Sequence, residues 1–156
     1  MKKLTLLLLA VCIIYFNIPV SANPLSSTTI VETFDDGSYI ESTIETETGS
    51  GLNVLSTSST KSGHKTTAYK SSSGKVLWSI TVTGTFSYNG SSATCTSVTK
   101  STSCPDKNWK IASSSARKSG ASASATATAK QYHDGTYLRS LTKTVTLTCS
   151  KTGKLS

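Results

Sequence analysis

The chain has 156 residues, of which 36% are hydrophobic and 15% are charged, and its formal net charge is +8. That length allows one domain with a modest core and excludes a large multidomain enzyme. Serine and threonine dominate over large aliphatic residues, and this composition favours exposed sheet faces over helices.

The first 22 residues have the features of a secretory signal peptide. Lys2-Lys3 form a positive segment, an apolar run follows, and Val20-Ser21-Ala22 fits a cleavage site. The alternative is an uncleaved anchor, but Asn17 and Pro19 interrupt an apolar run that is short for a membrane span. We therefore expect cleavage after Ala22 and a secreted protein, extracellular or associated with the cell surface.

Charge divides the rest of the chain into two parts. Residues 23–60 contain six acidic residues and no lysine or arginine, whereas residues 61–156 contain fourteen basic residues and two acidic ones. We interpret residues 23–60 as an acidic arm, hairpin and linker, and residues 61–156 as a basic Ser/Thr-rich β domain. The basic surface fits an anionic cell-wall polymer, a glycan or a membrane surface. The alternative, which we favour, is that the acidic arm packs against the basic domain.

The stretch from Val76 to Gly90 alternates apolar and polar residues, which is typical of a strand with one buried face. The predicted core residues are Trp78, Ile80, Val82 and Phe86. A two-residue turn at Asn89-Gly90 would then pair Gly84 with Cys95, so that the glycine leaves space for the sulfur.

The following segments continue the pattern. Alanines alternate with Ser and Thr from Ala121 to Ala129. A face made of such small side chains requires large side chains packed against it. A three-residue loop, His133-Asp134-Gly135, would pair Ala127 with Leu141 and place Gly135 in the left-handed conformation. The predicted fold is all-β, an antiparallel β-sandwich that is immunoglobulin-like or a similar meander.

Three cysteines follow the predicted cleavage site. Cys95 faces inward in the predicted register and Cys149 shares the apolar face of the last strand, so we predict a Cys95–Cys149 disulfide, worth about 4 kcal/mol in the chain-entropy model. The alternative, Cys95–Cys104, closes a shorter loop worth about 3 kcal/mol. Cys104 precedes a proline in a polar loop and is interpreted as free or intermolecular. No Cys or His spacing indicates a metal site.

No motif indicates catalysis or a cofactor, so we predict that the protein is not an enzyme. There is no Gly-x-Ser-x-Gly motif, and the only histidines, His64 and His133, lie beside a predicted linker and in a predicted turn. Only two arginines are present, which argues against specific nucleic-acid binding. A binding module is therefore the first functional hypothesis.

The candidate ligand contacts are Trp109 and its flanking lysines, Lys107 and Lys110. Core packing of Trp109 is the alternative. A membrane-active protein is the second functional hypothesis, because long Ser/Thr-rich amphipathic hairpins occur in pore-forming toxins. A hydrolase is the third.

Several segments between His64 and Ser156 are similar to a family of short, uncharacterised secreted proteins of Gram-positive, often gut-dwelling, bacteria. The similarity is carried by Leu77-Trp78, Thr83 to Ser91, Thr94-Cys95-Thr96, Trp109-Lys110 and Thr144 to Cys149. It implies a secreted, β-sandwich-like domain with no assigned activity. It also implies that the cysteines at positions 95 and 149 recur in the family, whereas Cys104 is an addition.

Overall fold

The computed structural model describes residues 25–47 and 58–156, which form two antiparallel sheets packed face to face. The predicted signal peptide, residues 1–22, lies outside the described residues. Within the described ranges there is no helix, and hence none that could cross a membrane. The strands are β1 (Leu25–Thr33), β2 (Tyr39–Thr46), β3 (Ser59–Lys70), β4 (Val76–Tyr88), β5 (Ala93–Ser103), β6 (Trp109–Ser119), β7 (Ser122–His133) and β8 (Thr136–Thr148).

Within each sheet, every strand pairs with its neighbours in the sequence. The first sheet has the order β1-β2-β3-β4-β5 and the second has the order β6-β7-β8. The predicted antiparallel β-sandwich is confirmed. Its topology is the meander alternative, because an immunoglobulin fold requires Greek-key connections between its sheets.

The described part of the acidic arm belongs to the larger sheet. β2 pairs with β3 along its whole length, from Tyr39 opposite Lys70 to Thr46 opposite Gly63. Ile40 is only 2% exposed and belongs to the core. The expected boundary between residues 60 and 61 falls inside β3, so these strands are integral to the sandwich.

Large side chains of β4 fill the core against small side chains of β7. The predicted core residues of β4 are all buried, as are the alanines that face the larger sheet, Ala123, Ala125, Ala127 and Ala129. A Cβ on Gly84 would lie 2.7 Å from the Phe86 ring and 3.0 Å from Ala123 Cβ. Gly84 therefore makes room for the phenyl ring and for the close approach of β7.

The predicted register of the β4–β5 hairpin is wrong. Cys95 lies opposite Phe86, and Gly84, which is beyond a bulge between Thr85 and Phe86, lies opposite Val98. The loop has four residues rather than two, because Asn89 Oδ1 accepts hydrogen bonds from the amides of residues 91 and 92 at 3.0 and 2.9 Å. The amide of Gly90 donates to the carbonyl of Lys151 at 2.9 Å, which holds the longer loop in place.

The predicted loop between β7 and β8 is also wrong in length. The turn has two residues, Asp134 and Gly135, with φ of 47° and 81°. The left-handed conformation of Gly135 is thus confirmed. The predicted pairing of Ala127 with Leu141 is wrong, since Leu141 lies opposite Ala129 and Ala127 lies opposite Lys143. A bulge at Gln131 and Tyr132 keeps the alanines on one face with Leu141 and Val145.

The two sheets cover each other unequally. β3, β4 and β5 face the strands of the smaller sheet, whereas β1 and β2 extend beyond it. The inner face of the larger sheet therefore has a closed part, packed against β7, and an open part beside β8.

Candidate ligand-binding site

A cavity of about 360 Å³ lies at the end of the sandwich where the loop before β6 meets the β7–β8 turn. Its lining residues are Lys107, Asn108, Lys110, Tyr132, Asp134 and Gly135. This volume is within the range of small-molecule sites. We call it the lysine–tyrosine cavity.

The loop that carries Lys107 is fixed by Asp106. One carboxylate oxygen, Oδ1, accepts a hydrogen bond from the Asn108 amide at 3.0 Å, and the other accepts from Lys75 Nζ at 2.8 Å. The Lys75 hydrogen bond holds the pKa of Asp106 below its usual value, although partial burial opposes it. The loop is joined to β7 because the Tyr132 amide donates to the Asn108 carbonyl at 2.7 Å.

Cationic and aromatic groups alternate beside the cavity. Lys110 Nζ lies 5.4 Å from the Tyr132 ring centroid. The Tyr132 and Tyr137 rings meet edge to face at 6.1 Å, and Lys130 Nζ lies 6.0 Å from the Tyr137 centroid. Such a group of ammonium ions and tyrosine faces can bind anionic groups and stack against sugar rings.

One acidic residue lies among these lysines. Asp134 in the β7–β8 turn lines the cavity, and its side chain is almost fully exposed. His133 Nε2 lies 3.4 Å from Asp134 Oδ2. Water screens so exposed a carboxylate, and the three lysines outnumber it.

The structure brings together two of the three predicted contact residues. Lys107 and Lys110 line the cavity. Trp109 is only 4% exposed and does not line it. Its ring packs 5.3 Å from Tyr69 and 6.4 Å from Trp78, so Trp109 holds the loop to the core.

Tyr132 lines the cavity but was not among the predicted contact residues. It lies opposite Tyr137 because the turn has two residues rather than the three expected from the sequence. The feature of the sequence that could have indicated this contact is a tyrosine two residues before an Asp-Gly turn.

The cysteines lie at two different ends of β5. Cys95 is near the start of this strand and Cys104 follows its last residue, so the two are on the order of 30 Å apart along the extended chain. Cysteines more than 7 Å apart at Cα cannot form a disulfide without backbone movement. The arrangement therefore argues against the Cys95–Cys104 alternative.

Cys95 and Cys149 lie beside the same turn. The Cys95 amide donates to the Gly120 carbonyl at 2.7 Å, and the Cys149 amide donates to the adjacent Ala121 carbonyl at 2.9 Å. Both side chains are buried, and their sulfurs are not bonded to each other in this structure. Burial raises the pKa of both thiols, and the neighbouring Cys95 raises that of Cys149 further.

Several other titratable groups form pairs on adjacent strands. His64, for example, contacts Glu45 at 3.1 Å between its Nε2 and the carboxylate on the adjacent strand. Among residues 25–47 and 58–156, no three His, Cys, Asp or Glu side chains are grouped so that they could hold a metal ion.

Comparison of the chain with protein-family models, with curated proteins and with solved structures finds no match in any of the three.

Proposed function

We propose that this protein is a secreted, non-enzymatic module that binds an anionic extracellular polymer, such as a phosphate-bearing cell-wall polymer or an acidic glycan. The observation that carries the proposal is the lysine–tyrosine cavity. Two exposed lysines, Lys107 and Lys110, lie beside the half-buried Tyr132. Asp106 and Trp109 fix the loop that carries Lys107. A rigid cationic and aromatic surface of this kind suits repeated weak contacts with a charged chain.

The proposed secreted location is supported by the predicted signal peptide and by the family resemblance. With it we propose the Cys95–Cys149 disulfide, because oxidising compartments allow disulfides to form and persist. The two cysteines flank one turn and are close enough that Cys95 raises the pKa of the Cys149 thiol.

The proposed function is tested by binding of the secreted chain to teichoic acid, to an acidic glycan and to a neutral glucan at several salt concentrations. We expect salt-sensitive binding to at least one of the anionic polymers and none to the glucan. The variant K107Q/K110Q should weaken this binding by about tenfold, since it removes two charges from the site.

The matched control is K151Q/K154Q, which removes the same charge from exposed lysines at the opposite end of β8. If both double variants weaken binding equally, the attraction comes from net charge and the cavity is not the site. Absence of binding to either anionic polymer contradicts the proposed function itself.

A second candidate is a membrane-active protein. Tyr137 and Leu138, at the start of β8, are 52% and 54% exposed, and Lys130 Nζ lies 6.0 Å from the Tyr137 ring. Exposed aromatic and aliphatic groups beside lysines are typical of residues that insert at a lipid surface. Release of a trapped dye from anionic liposomes, abolished by L138S and retained in K151Q/K154Q, would favour this candidate over polymer binding.

A further inference from the structure

The open part of the larger sheet contains a groove distinct from the lysine–tyrosine cavity. Two adjoining hollows of about 300 and 240 Å³ share Val31, Ser42 and Lys65 as lining residues. They run along the inner face of β1, β2 and β3, and β8 forms one wall. We call this surface the β1–β8 groove.

The groove has apolar walls. Its aliphatic side chains are Val31, Ile40, Ile44 and Val145. Val31 is 63% exposed, although it lies on the inner side of the sheet. The smaller sheet does not extend over Val31 and Ile44, so their apolar surface has no covering strand among those described, whereas Ile40 and Val145 are only 2% exposed and belong to the core.

Two polar groups inside the groove have no partner among the described residues. Ser42 Oγ is buried and has no hydrogen bond. Lys65 is half-buried and forms no ion pair with the residues described, although it lies between Ile44 and Val82 on the neighbouring strands. A partly desolvated ammonium group and an unpaired hydroxyl are both costly unless something binds them.

A second lysine closes the mouth of the groove. Lys143 on β8 forms an ion pair with Glu32 on β1, and its Nζ lies 5.7 Å from the Phe34 ring. This pair satisfies Glu32, so the acidic residue at the mouth does not neutralise Lys65 further inside.

We propose that the β1–β8 groove binds a medium-chain fatty acid. The carboxylate accepts hydrogen bonds from Lys65 Nζ and Ser42 Oγ, and the alkyl chain lies against the four aliphatic side chains of the walls. Charge complementarity selects the anionic head group, because the unpaired group in the groove is a cation. Burial of the alkyl chain supplies the affinity.

The test is calorimetric titration of the secreted chain with decanoate and with decanol, which has an alkyl chain of the same length and a neutral head group. We expect saturable decanoate binding that K65Q weakens by about tenfold or more, because a charge-assisted contact is lost. Decanol should bind more weakly, and K65Q should leave its affinity within about twofold. Chemical-shift changes on decanoate addition should be confined to β1, β2, β3 and β8.

The matched control, K110Q, removes one lysine from the lysine–tyrosine cavity and should leave decanoate affinity unchanged. This control also separates the two sites, since loss of polymer binding in K110Q has no bearing on the groove. Unchanged decanoate affinity in K65Q would overturn the proposal. So would concentration-dependent dimerisation that V31D abolishes and decanoate does not, because a second copy would then be the occupant.

Discussion

The closed and open parts of the larger sheet belong to the same inner face, but they differ in the polarity and burial of their side chains. In the closed part, bulky β4 residues meet the alanines of β7, and the exposed fraction of Phe86 and Ala123 is zero. In the open part, Lys65 and Ser42 occupy such positions, and among the described strands of the smaller sheet only β8 lies beside them. This difference indicates that core packing in the closed part stabilises the sandwich, whereas the open part leaves a surface that a ligand can reach.

Truncation of a core residue should show this difference most strongly. Phe86→Ala is expected to lower the free energy of unfolding by about 3–5 kcal/mol, because it leaves a cavity between the sheets. Val31→Ala in the open part should cost less than about 0.5 kcal/mol. Urea denaturation of both variants measures the two values.

Thr83→Ala, on the outer face of the same strand as Phe86, serves as the control and should behave like Val31→Ala. Equal losses for Phe86→Ala and Val31→Ala would mean that the open part is as closely packed as the closed part.

The proposed Cys95–Cys149 disulfide gives the next largest expected effect, and both cysteines belong to the core. Peptide mapping without reduction should find Cys95 linked to Cys149, and reduction should lower the free energy of unfolding by about 2–4 kcal/mol. C104S should show the same mapping and the same stability as the unmodified chain. A Cys95–Cys104 bridge would be incompatible with their places at opposite ends of β5.

The smallest effect is expected at the loop beside the lysine–tyrosine cavity. The folded-state pKa of Asp106 is below its ordinary value of 3.8, so the Lys75 pair stabilises the protein above that pH. This contribution is lost as the pH falls through the folded-state pKa. Lys75 is 62% exposed, which limits the pair to less than about 1 kcal/mol at neutral pH.

The measurement is urea unfolding of the unmodified chain and of D106N between pH 7 and pH 2. The difference between them should be present at pH 7 and disappear at the acidic end. D134N, whose carboxylate is almost fully exposed, is the control and should follow the unmodified chain. A difference that grows as the pH falls would contradict the assigned pKa direction.

The alternation of residues was sufficient to predict the layers of the sandwich but not its registers. Trp78 and Phe86 were placed in the core correctly because a period of two fixes the face of each residue. The pairing of Gly84 with Cys95 failed because the loop has four residues rather than two, which places Cys95 opposite Phe86. A bulge beyond Phe86 then shifts Gly84 to Val98 without any signal in the composition. The Asn89 loop also depends on Lys151, which is distant in the sequence.

The candidate site was predictable only in part, for a similar reason. Lys107 and Lys110 are polar neighbours in a loop, and exposure could be inferred for both. Trp109 is buried because Tyr69 and Trp78 come from the other sheet, and a contact of this kind has no local signature. The β1–β8 groove was not predictable at all, since it exists only because the two sheets differ in width.

The outer surface of the smaller sheet carries hydroxyl groups that are already paired with one another. On the solvent side of β7 and β8, hydroxyl groups pair across the strands, as at Thr126 and Thr144, whose oxygens are 2.8 Å apart. Loss of one partner is inexpensive there, because water replaces it. Thr142 is exposed and lies outside the β1–β8 groove, so it is a suitable attachment point for a fluorescent reporter.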